Sequence, residues 1–170
     1  MDRETLKAVQ APLKLRYQDE PSSALAVLRA SGTVDFARTG CRVDILANDG
    51  DQITAGLHPM AGGDGSLACS GDMLLQALVS CAGTTLAAVS TSMGLAISSA
   101  RIEALGTMDF RGTMGVDRAT PVGFTAIEMR FQLKTEVDTE TVAKLIQLTE
   151  RYCVVLQTLS KGVPVTARRV

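Results

Sequence analysis

The sequence predicts an α+β fold, because segments with helical periodicity alternate with segments of strand periodicity along its 170 residues. The strand signal is clearest over residues 127–134, where apolar and polar side chains alternate. Such alternation is typical of a sheet strand with one buried face and one solvated face. The helical signal is clearest over residues 70–93, a long and mostly apolar run. A hydrophobic fraction of 46 % is enough to form a core without disulfide bonds.

The first half of the chain is predicted to be one helix followed by strands. Residues 2–19 have apolar side chains at spacings of three and four, which is typical of a helix. The strand pattern then runs over residues 24–36 and again over residues 41–45. The sequence NDGD at 48–51 favours a hairpin turn, because Asp-Gly tolerates positive φ angles. A short strand is expected after this turn, over residues 52–57.

The second half is predicted to mix helices and strands. Ser70 is the expected N-cap of the long helix, Asp72 lies in its first turn, where a negative charge suits the helix dipole, and Gly94 ends it. The remaining elements are, in chain order, a strand over residues 95–111, the alternating strand, a helix capped by Asp138 or Thr139, a helical segment over 152–159 that Gly162 ends, and an edge strand over 163–170.

Charge and composition argue against several classes of function. Seventeen basic and eighteen acidic residues, with a net charge of −1, give no electrostatic reason to expect a nucleic-acid partner. The most apolar stretch, residues 73–93, is interrupted by glutamine, serine and threonine, so no membrane partner is expected. The N-terminus is charged and lacks the apolar segment of a signal peptide. A cytoplasmic location is therefore expected, where thiols stay reduced.

The four cysteines are the candidates for chemistry. Cys41, Cys69, Cys81 and Cys153 lack the spacing of zinc ligands, and His58 is the single histidine, so neither a metal site nor another cofactor is expected. A single buried cysteine most often serves only packing. Cys81 lies far from the start of its own helix, so a reactive thiolate there would need a positive charge from elsewhere. The residues alone leave inert packing and redox chemistry both open for Cys81 and Cys153.

Two cysteine segments occur together in this chain. They are SGDMLLQALVSCAGTTL (70–86) and TERYCVVLQTL (149–159), accompanied by the loop GGDG (62–65) and the strand PVGFTAIEMRFQL (121–133). Together these segments resemble the OsmC/Ohr superfamily of hydroperoxide-handling proteins, over roughly residues 30–168. The resemblance implies an OsmC-like domain over residues 24–170, with residues 1–23 as an N-terminal helical extension. It also implies antiparallel sheets intertwined in a homodimer around two central helices.

The resemblance further implies a redox reaction of two thiols. Cys81 would attack an organic hydroperoxide and become a sulfenic acid, and Cys153 would then condense with it to form a disulfide. An external dithiol, for which a lipoyl-type dithiol is one candidate, would reduce this disulfide. Cys41 and Cys69 are not general features of the family; they are expected to be buried or idle thiols, with an enlarged redox site as the alternative.

The charged residues of the family site match this chain in part. In the family an arginine beside the first cysteine stabilises its thiolate, and Arg38 is the best match, with Arg42 as the alternative. A glutamate orients that arginine in the organic hydroperoxide reductases, and its place is taken here by Gly71. Asp72, one residue later, matches another branch of the superfamily. It is expected either to hold the arginine or to serve only the helix N-terminus.

Three functions are compatible with these residues. The first is a thiol-dependent peroxidase that reduces organic hydroperoxides in oxidative-stress defence, with Cys81, Cys153, Arg38 and Asp72 as its site. The second is a non-catalytic module on the same scaffold that binds a small apolar ligand. The third is a redox sensor in which the cysteine pair is oxidised slowly and signals to a partner.

Overall fold

The structure, a computed structural model, describes residues 1–45 and 51–169. The α+β class is confirmed. The helices are α1 (Arg3–Asp19), α2 (Ser70–Met93), α3 (Phe110–Thr113), α4 (Thr139–Tyr152) and α5 (Val154–Lys161), with short 3-10 turns at Pro21–Ala24 and Pro59–Ala61. The strands are β1 (Gly32–Asp35), β2 (Gly40–Asp44), β3 (Gln52–Ala55), β4 (Ile97–Met108) and β5 (Phe124–Thr135).

The chain divides into two compact units. Unit 1 comprises Met1–Ala24, Ala77–Ala104 and Met129–Val170, and unit 2 comprises Leu25–Gln76 and Leu105–Glu128. Among the described residues, all buried side chains belong to unit 1: Leu78, Ala82, Leu86, Leu145, Thr149 and Cys153. They come from α2, from α4 and from the residue that joins α4 to α5. The core of unit 1 therefore forms where these helices meet, and it includes one of the two candidate redox cysteines.

The N-cap of the long helix α2 lies one residue earlier than the sequence predicts. Ser70 is already helical, and the N-cap is Cys69, whose sulfur accepts a hydrogen bond from the Asp72 amide at 3.4 Å. The Met73 amide donates to the Cys69 carbonyl at 3.0 Å, which is the first bond of the helix. The prediction of Ser70 as N-cap is wrong, because a thiol takes the place that a hydroxyl usually holds.

The predicted end of α2 is confirmed at Gly94, which adopts a left-handed φ of 70°. The amides of Gly94 and Leu95 donate to the carbonyls of Thr91 and Ser90 at 3.0 Å each, the pattern that closes a helix on glycine. By length and composition alone α2 could cross a membrane, yet only 22 % of its most apolar window is buried within the chain. The other residues of this window are half-buried or exposed within the chain.

The predicted cap of α4 and the predicted stop after α5 are confirmed, but the segment predicted over 152–159 is shifted, because Tyr152 still belongs to α4 and α5 spans Val154–Lys161. Asp138 caps α4, its carboxylate accepting from the Thr141 amide at 2.8 Å. Leu145 and Thr149, four residues apart, form the buried face of α4. α5 follows directly and ends at Gly162, which has a φ of 65°.

The strands form two small antiparallel sheets. β1, β2 and β3 lie in that order, with Cys41 paired to Val34 on one side and to Ala55 on the other. β4 and β5 form the second sheet. The alternation predicted for β5 is confirmed, since Met129, Phe131 and Leu133 are half-buried and the residues between them are exposed.

Two strand predictions differ from the structure, and one predicted turn lies mostly beyond it. Residues 24–31 form no strand, and β1 begins only at Gly32. Leu25, Val27 and Leu28 stay 83–91 % exposed, so these apolar residues have no sheet to join in the described part of the chain. Residues 163–169 likewise form no edge strand and are exposed. The predicted turn at 48–51 lies outside the described residues except for Asp51.

Candidate thiol site

The candidate site is organised by a break between two helices at Cys153. Its backbone is extended, with φ −72° and ψ 106°, so it ends α4 and begins α5. Its amide donates to the Thr149 carbonyl at 2.9 Å, and its carbonyl accepts from the Gln157 amide at 2.9 Å. Because the chain turns here, the first amides of α5 are free to meet a partner from outside their own helix.

That partner is the sulfur of Cys81. The amides of Val154 and Val155, the first two residues of α5, act as hydrogen-bond donors to it, and the thiol of Cys153 donates as well. Cys81 is half-buried on α2, and Cys153 is fully buried. The two cysteines of the predicted redox pair are therefore brought together in unit 1 as free thiols that interact directly.

The environment separates the two thiols by acidity. Burial raises the pKa of Cys81, but hydrogen bonds from the Val155 amide, the Cys153 thiol, the Val154 amide and the Thr85 hydroxyl outweigh it, so the pKa is lowered overall. Burial also raises the pKa of Cys153, and the neighbouring Cys81 thiolate raises it further. The Leu156 amide opposes this with the largest effect after burial, and the Val155 amide opposes it as well, but the pKa of Cys153 is raised overall.

This arrangement favours a thiolate at Cys81 over one at Cys153. Only a thiolate attacks efficiently, and the N-terminus of α5 supplies the partial positive charge that stabilises one. The raised pKa of Cys153 favours its protonated form, in which the thiol can donate to Cys81. The requirement for positive charge at Cys81, evident from the sequence, is thus met in part by main-chain dipoles.

The two arginine candidates lie in unit 2. Arg38 is in the turn between β1 and β2, where the amides of Ala37 and Arg38 both donate to the Asp35 carboxylate, at 3.1 and 3.2 Å. Its side chain is exposed. Arg42 lies on β2, paired with Thr33 and Thr54, and is also exposed. A role for either arginine at Cys81 stays a prediction.

The place of the missing glutamate is occupied by an aromatic ring. A Cβ atom built on Gly71 would lie 3.3 Å from Cζ of Phe124, and one on Gly106 would lie 2.3 Å from Cε1 of the same ring. Phe124 therefore rests on two glycines within unit 2. Asp72 is exposed in the first turn of α2, and it forms no ion pair with Arg38 within the residues the structure describes. Its role in holding the arginine stays a prediction.

The remaining sulfur and imidazole groups have local roles in unit 2. Cys41 is half-buried on β2, and Cys69 caps α2. His58 accepts a hydrogen bond from the Met60 amide at 3.1 Å and stacks on Phe110, with ring centroids 4.7 Å apart. Its imidazole thus caps the 3-10 turn at Pro59–Ala61. In the residues the structure describes, no three metal-binding side chains cluster together.

Comparison with known proteins places the chain in a family. The sequence model of the family described as OsmC-like protein matches residues 63–168, which is more than half of the chain. The chain belongs to the OsmC-like protein family. The match lies inside the predicted 24–170 domain but does not test the boundary at residue 24. No curated protein matches this OsmC-like protein significantly.

Solved structures share the fold of this OsmC-like protein. An OsmC-like protein from Mycoplasma pneumoniae is 17 % identical, with a TM-score of 0.64 over 81 % of this chain and 89 % of the other. An organic hydroperoxide resistance protein OsmC from Legionella pneumophila is 12 % identical, with a TM-score of 0.61 over 79 % of this chain and 91 % of the other. An organic hydroperoxide resistance protein from Elizabethkingia anophelis is 15 % identical, with a TM-score of 0.62 over 82 % of this chain and 91 % of the other.

Two features, one in each unit, are not predicted by the sequence. The first is the N-terminus of α5 as the donor to Cys81. Its signal in the sequence is Cys153 itself, a non-helical residue between two helical stretches, but no glycine or proline marks the break. The second is the ring of Phe124 over Gly71 and Gly106. Gly71 not only lacks the carboxylate expected from the resemblance but also makes room for this ring.

Proposed function

We propose that this OsmC-like protein is a thiol-dependent peroxidase that reduces organic hydroperoxides, with Cys81 as the peroxidatic and Cys153 as the resolving residue. The observation that carries the proposal is the contact between the Cys81 sulfur, the α5 N-terminus and the buried Cys153 thiol. It provides a nucleophile of lowered pKa and a second thiol beside it. Inert packing requires neither property.

The proposed reaction begins with the Cys81 thiolate. It attacks the distal oxygen of the hydroperoxide ROOH, the O–O bond breaks, and the leaving alkoxide takes up a proton to give the alcohol. Cys81 is then a sulfenic acid. The Cys153 sulfur attacks the Cys81 sulfur, the S–O bond breaks, and the hydroxyl leaves as water with the thiol proton. In the first step the sulfur of Cys81 is oxidised by two electrons. In the second step no further oxidation occurs, and the two sulfurs of the disulfide share those two oxidising equivalents.

A dithiol completes the proposed cycle. It reduces the Cys81–Cys153 disulfide by thiol–disulfide exchange and becomes a disulfide itself. We propose a lipoyl-type dithiol as one candidate and a cytoplasmic location, where such thiols stay reduced. Organic hydroperoxides are proposed as substrates because the similar proteins from Legionella pneumophila and Elizabethkingia anophelis are named for resistance to them. Arg38 is proposed as an additional positive charge beside Cys81, and Asp72 as the carboxylate that holds this arginine.

Peroxide turnover in solution tests the proposal. Wild-type protein mixed with cumene hydroperoxide and an excess of a dithiol should consume many equivalents of peroxide. Without the dithiol it should consume about one equivalent and yield a Cys81–Cys153 disulfide by peptide mass spectrometry. The variants Cys41→Ser and Cys69→Ser are the matched controls and should behave as wild type. Absence of both turnover and the disulfide in correctly folded protein would reject the peroxidase.

We further propose that a second copy of the chain covers the exposed apolar surface of α2. Within unit 1, a groove of about 380 Å³ lies between α2 and β4. Its lining includes Val79, Gly83 and Ala87 from α2 and Ile97, Ala100 and Ile102 from β4. Apolar surface of this kind on a central helix is typical of obligate interfaces. The resemblance to OsmC/Ohr proteins supports the same homodimer.

The oligomeric state can be measured by light scattering. The protein should have twice the 17.9 kDa mass of one chain. The substitution Ala87→Glu places a charge in the groove. It should raise the dissociation constant of the dimer at least about tenfold. Ala143→Glu, the same change at an exposed position of α4, serves as the control. A wild-type monomer, or recovery of the protein in the membrane fraction, would contradict the proposed homodimer.

A further inference from the structure

The break between α4 and α5 leaves a backbone carbonyl at the end of α4 without its helical partner. In a continuous helix the Glu150 carbonyl would accept a hydrogen bond from the Val154 amide, four residues later. The extended backbone at Cys153, with ψ 106°, turns the Val154 amide out of α4 and makes Val154 the first residue of α5. The Glu150 carbonyl is therefore open to another donor.

That donor is the side chain of Gln157, which reaches back from α5 to α4. Its Nε2 donates to the Glu150 carbonyl at 2.9 Å, and its main-chain amide donates to the Cys153 carbonyl, also at 2.9 Å. Only the nitrogen of a carboxamide can donate to a carbonyl, so this contact also fixes the orientation of the side chain. Gln157 thus contacts both sides of the break, with one side-chain and one main-chain bond.

The local sequence does not by itself require the break. Residues 149–159, TERYCVVLQTL, contain neither glycine nor proline. The Cys153 amide already donates to the Thr149 carbonyl at 2.9 Å, as it would in a continuous helix. In that alternative the Val154 amide would return to the Glu150 carbonyl, and the Gln157 carboxamide would lose its acceptor. The side-chain bond of Gln157 therefore favours the broken form over the continuous one, by about two- to tenfold.

We propose that Gln157 is a positioning residue for the thiol site, which keeps the break open by occupying the Glu150 carbonyl and so holds Cys153 outside both helices. Cys153 is fully buried at the break, so the conformation of its backbone decides where its sulfur lies. The Val154 amide, released from α4, is one of the donors to Cys81. This inference deepens the proposed function and rests on it, since it gives the break a role in the chemistry of the two cysteines.

The break can be measured in the reduced protein without any oxidant. The carbon chemical shifts of Cα and Cβ of Cys153 distinguish a helical backbone from an extended one. Gln157→Met removes the donor but keeps a long side chain of good helix propensity. It should lower the ratio of broken to continuous helix about two- to tenfold and move the Cys153 shifts toward helical values. Gln147→Met, the same change at an exposed position of α4, is the matched control and should leave them unchanged.

Val154→Pro supplies the break independently of Gln157. Proline has no amide to return to the Glu150 carbonyl, it is well accepted at the first position of a helix, and it favours an extended residue before it. Val154 is 69 % exposed, so the ring has room. In this background Gln157→Met should no longer move the Cys153 shifts. An effect of the same size with and without the proline would show that the carboxamide acts through packing, and would overturn the inference.

The chemical consequence is measured with diamide, which takes two electrons and two protons from a pair of thiols and leaves a disulfide. Cys41 and Cys69 are replaced by serine throughout. Gln157→Met should form the Cys81–Cys153 disulfide about two- to tenfold more slowly than the parent protein, because Cys153 spends less time in the broken form. Gln147→Met should form it at the parent rate. If Gln157→Met is poorly folded by circular dichroism, Gln157→Ala takes its place in both measurements.

The outcomes separate this inference from the function on which it rests. Helical shifts at Cys153 and a slower disulfide would support the role of Gln157 even in a protein that turns over no peroxide. Unchanged shifts in folded Gln157→Met would overturn it, whether or not the protein is a peroxidase. Helical shifts with an unchanged rate of disulfide formation would limit Gln157 to the stability of the break and would also overturn its role at the thiol site.

Discussion

Replacing Cys81 by serine is expected to lower peroxide turnover by about a thousandfold or more, because a serine hydroxyl stays protonated where the thiol ionises. Replacing Cys153 by serine should have a different result. Cys81 can still react once, but no second thiol is present to displace the oxygen from its sulfur. The variant should consume about one equivalent of cumene hydroperoxide and then stop, with Cys81 oxidised further when peroxide is in excess.

The two variants are separated by counting peroxide consumed per chain and by intact-protein mass spectrometry. Cys153→Ser should gain oxygen on Cys81 and react with dimedone, whereas Cys81→Ser should gain neither. Steady turnover by Cys153→Ser at the wild-type rate would show that an outside thiol, and not Cys153, resolves the sulfenic acid. Turnover by Cys81→Ser would remove Cys81 from the mechanism.

Gly106→Ala is expected to destabilise the protein by about 1–3 kcal/mol, because the added methyl group has no space. A Cβ atom at this position would lie 2.3 Å from Cε1 and 2.6 Å from Cδ1 of Phe124. Alanine is otherwise acceptable in a strand, so the ring of Phe124 sets the cost. Urea denaturation followed by circular dichroism measures the change in the free energy of unfolding.

A double-mutant cycle tests the cause of this destabilisation. Phe124→Leu replaces the ring with a smaller side chain and should be destabilising by itself. Combined with Gly106→Ala, it should cost less than the sum of the two single changes, because the leucine leaves room for the methyl group. Strict additivity would mean that the ring does not set the requirement for glycine at position 106.

Local chemistry made much of the fold predictable from the sequence. The Asp138 cap, the Gly94 and Gly162 ends and the alternation of β5 each depend on a few neighbouring residues. Predictions of structure that depends on contacts with residues distant in the sequence were less accurate. The strand over residues 24–31 was wrong because apolar residues form a strand only where another strand is available to pair with them.

The same distinction between local and distant contacts applies to the candidate site. Cys81 and Cys153 could be named from the resemblance, and the structure brings them together. That α5 points its first amides at Cys81 depends on how α2, α4 and α5 pack, and no short sequence pattern encodes this. The thiol cap at Cys69 was missed because Ser70, one residue later, is a commoner capping residue. Arg38 and Asp72 stay predictions that mutagenesis can address.

The donors at Val154 and Val155 belong to the main chain, and this gives the site an unusual mutational robustness. A single substitution can erase an arginine, but every residue except proline keeps the amide at these two positions. A peptide amide also carries no titratable proton over the physiological range, so its support for the Cys81 thiolate does not vary with pH. Substitution of the surrounding charged residues can therefore reduce the stabilisation of the Cys81 thiolate without abolishing it.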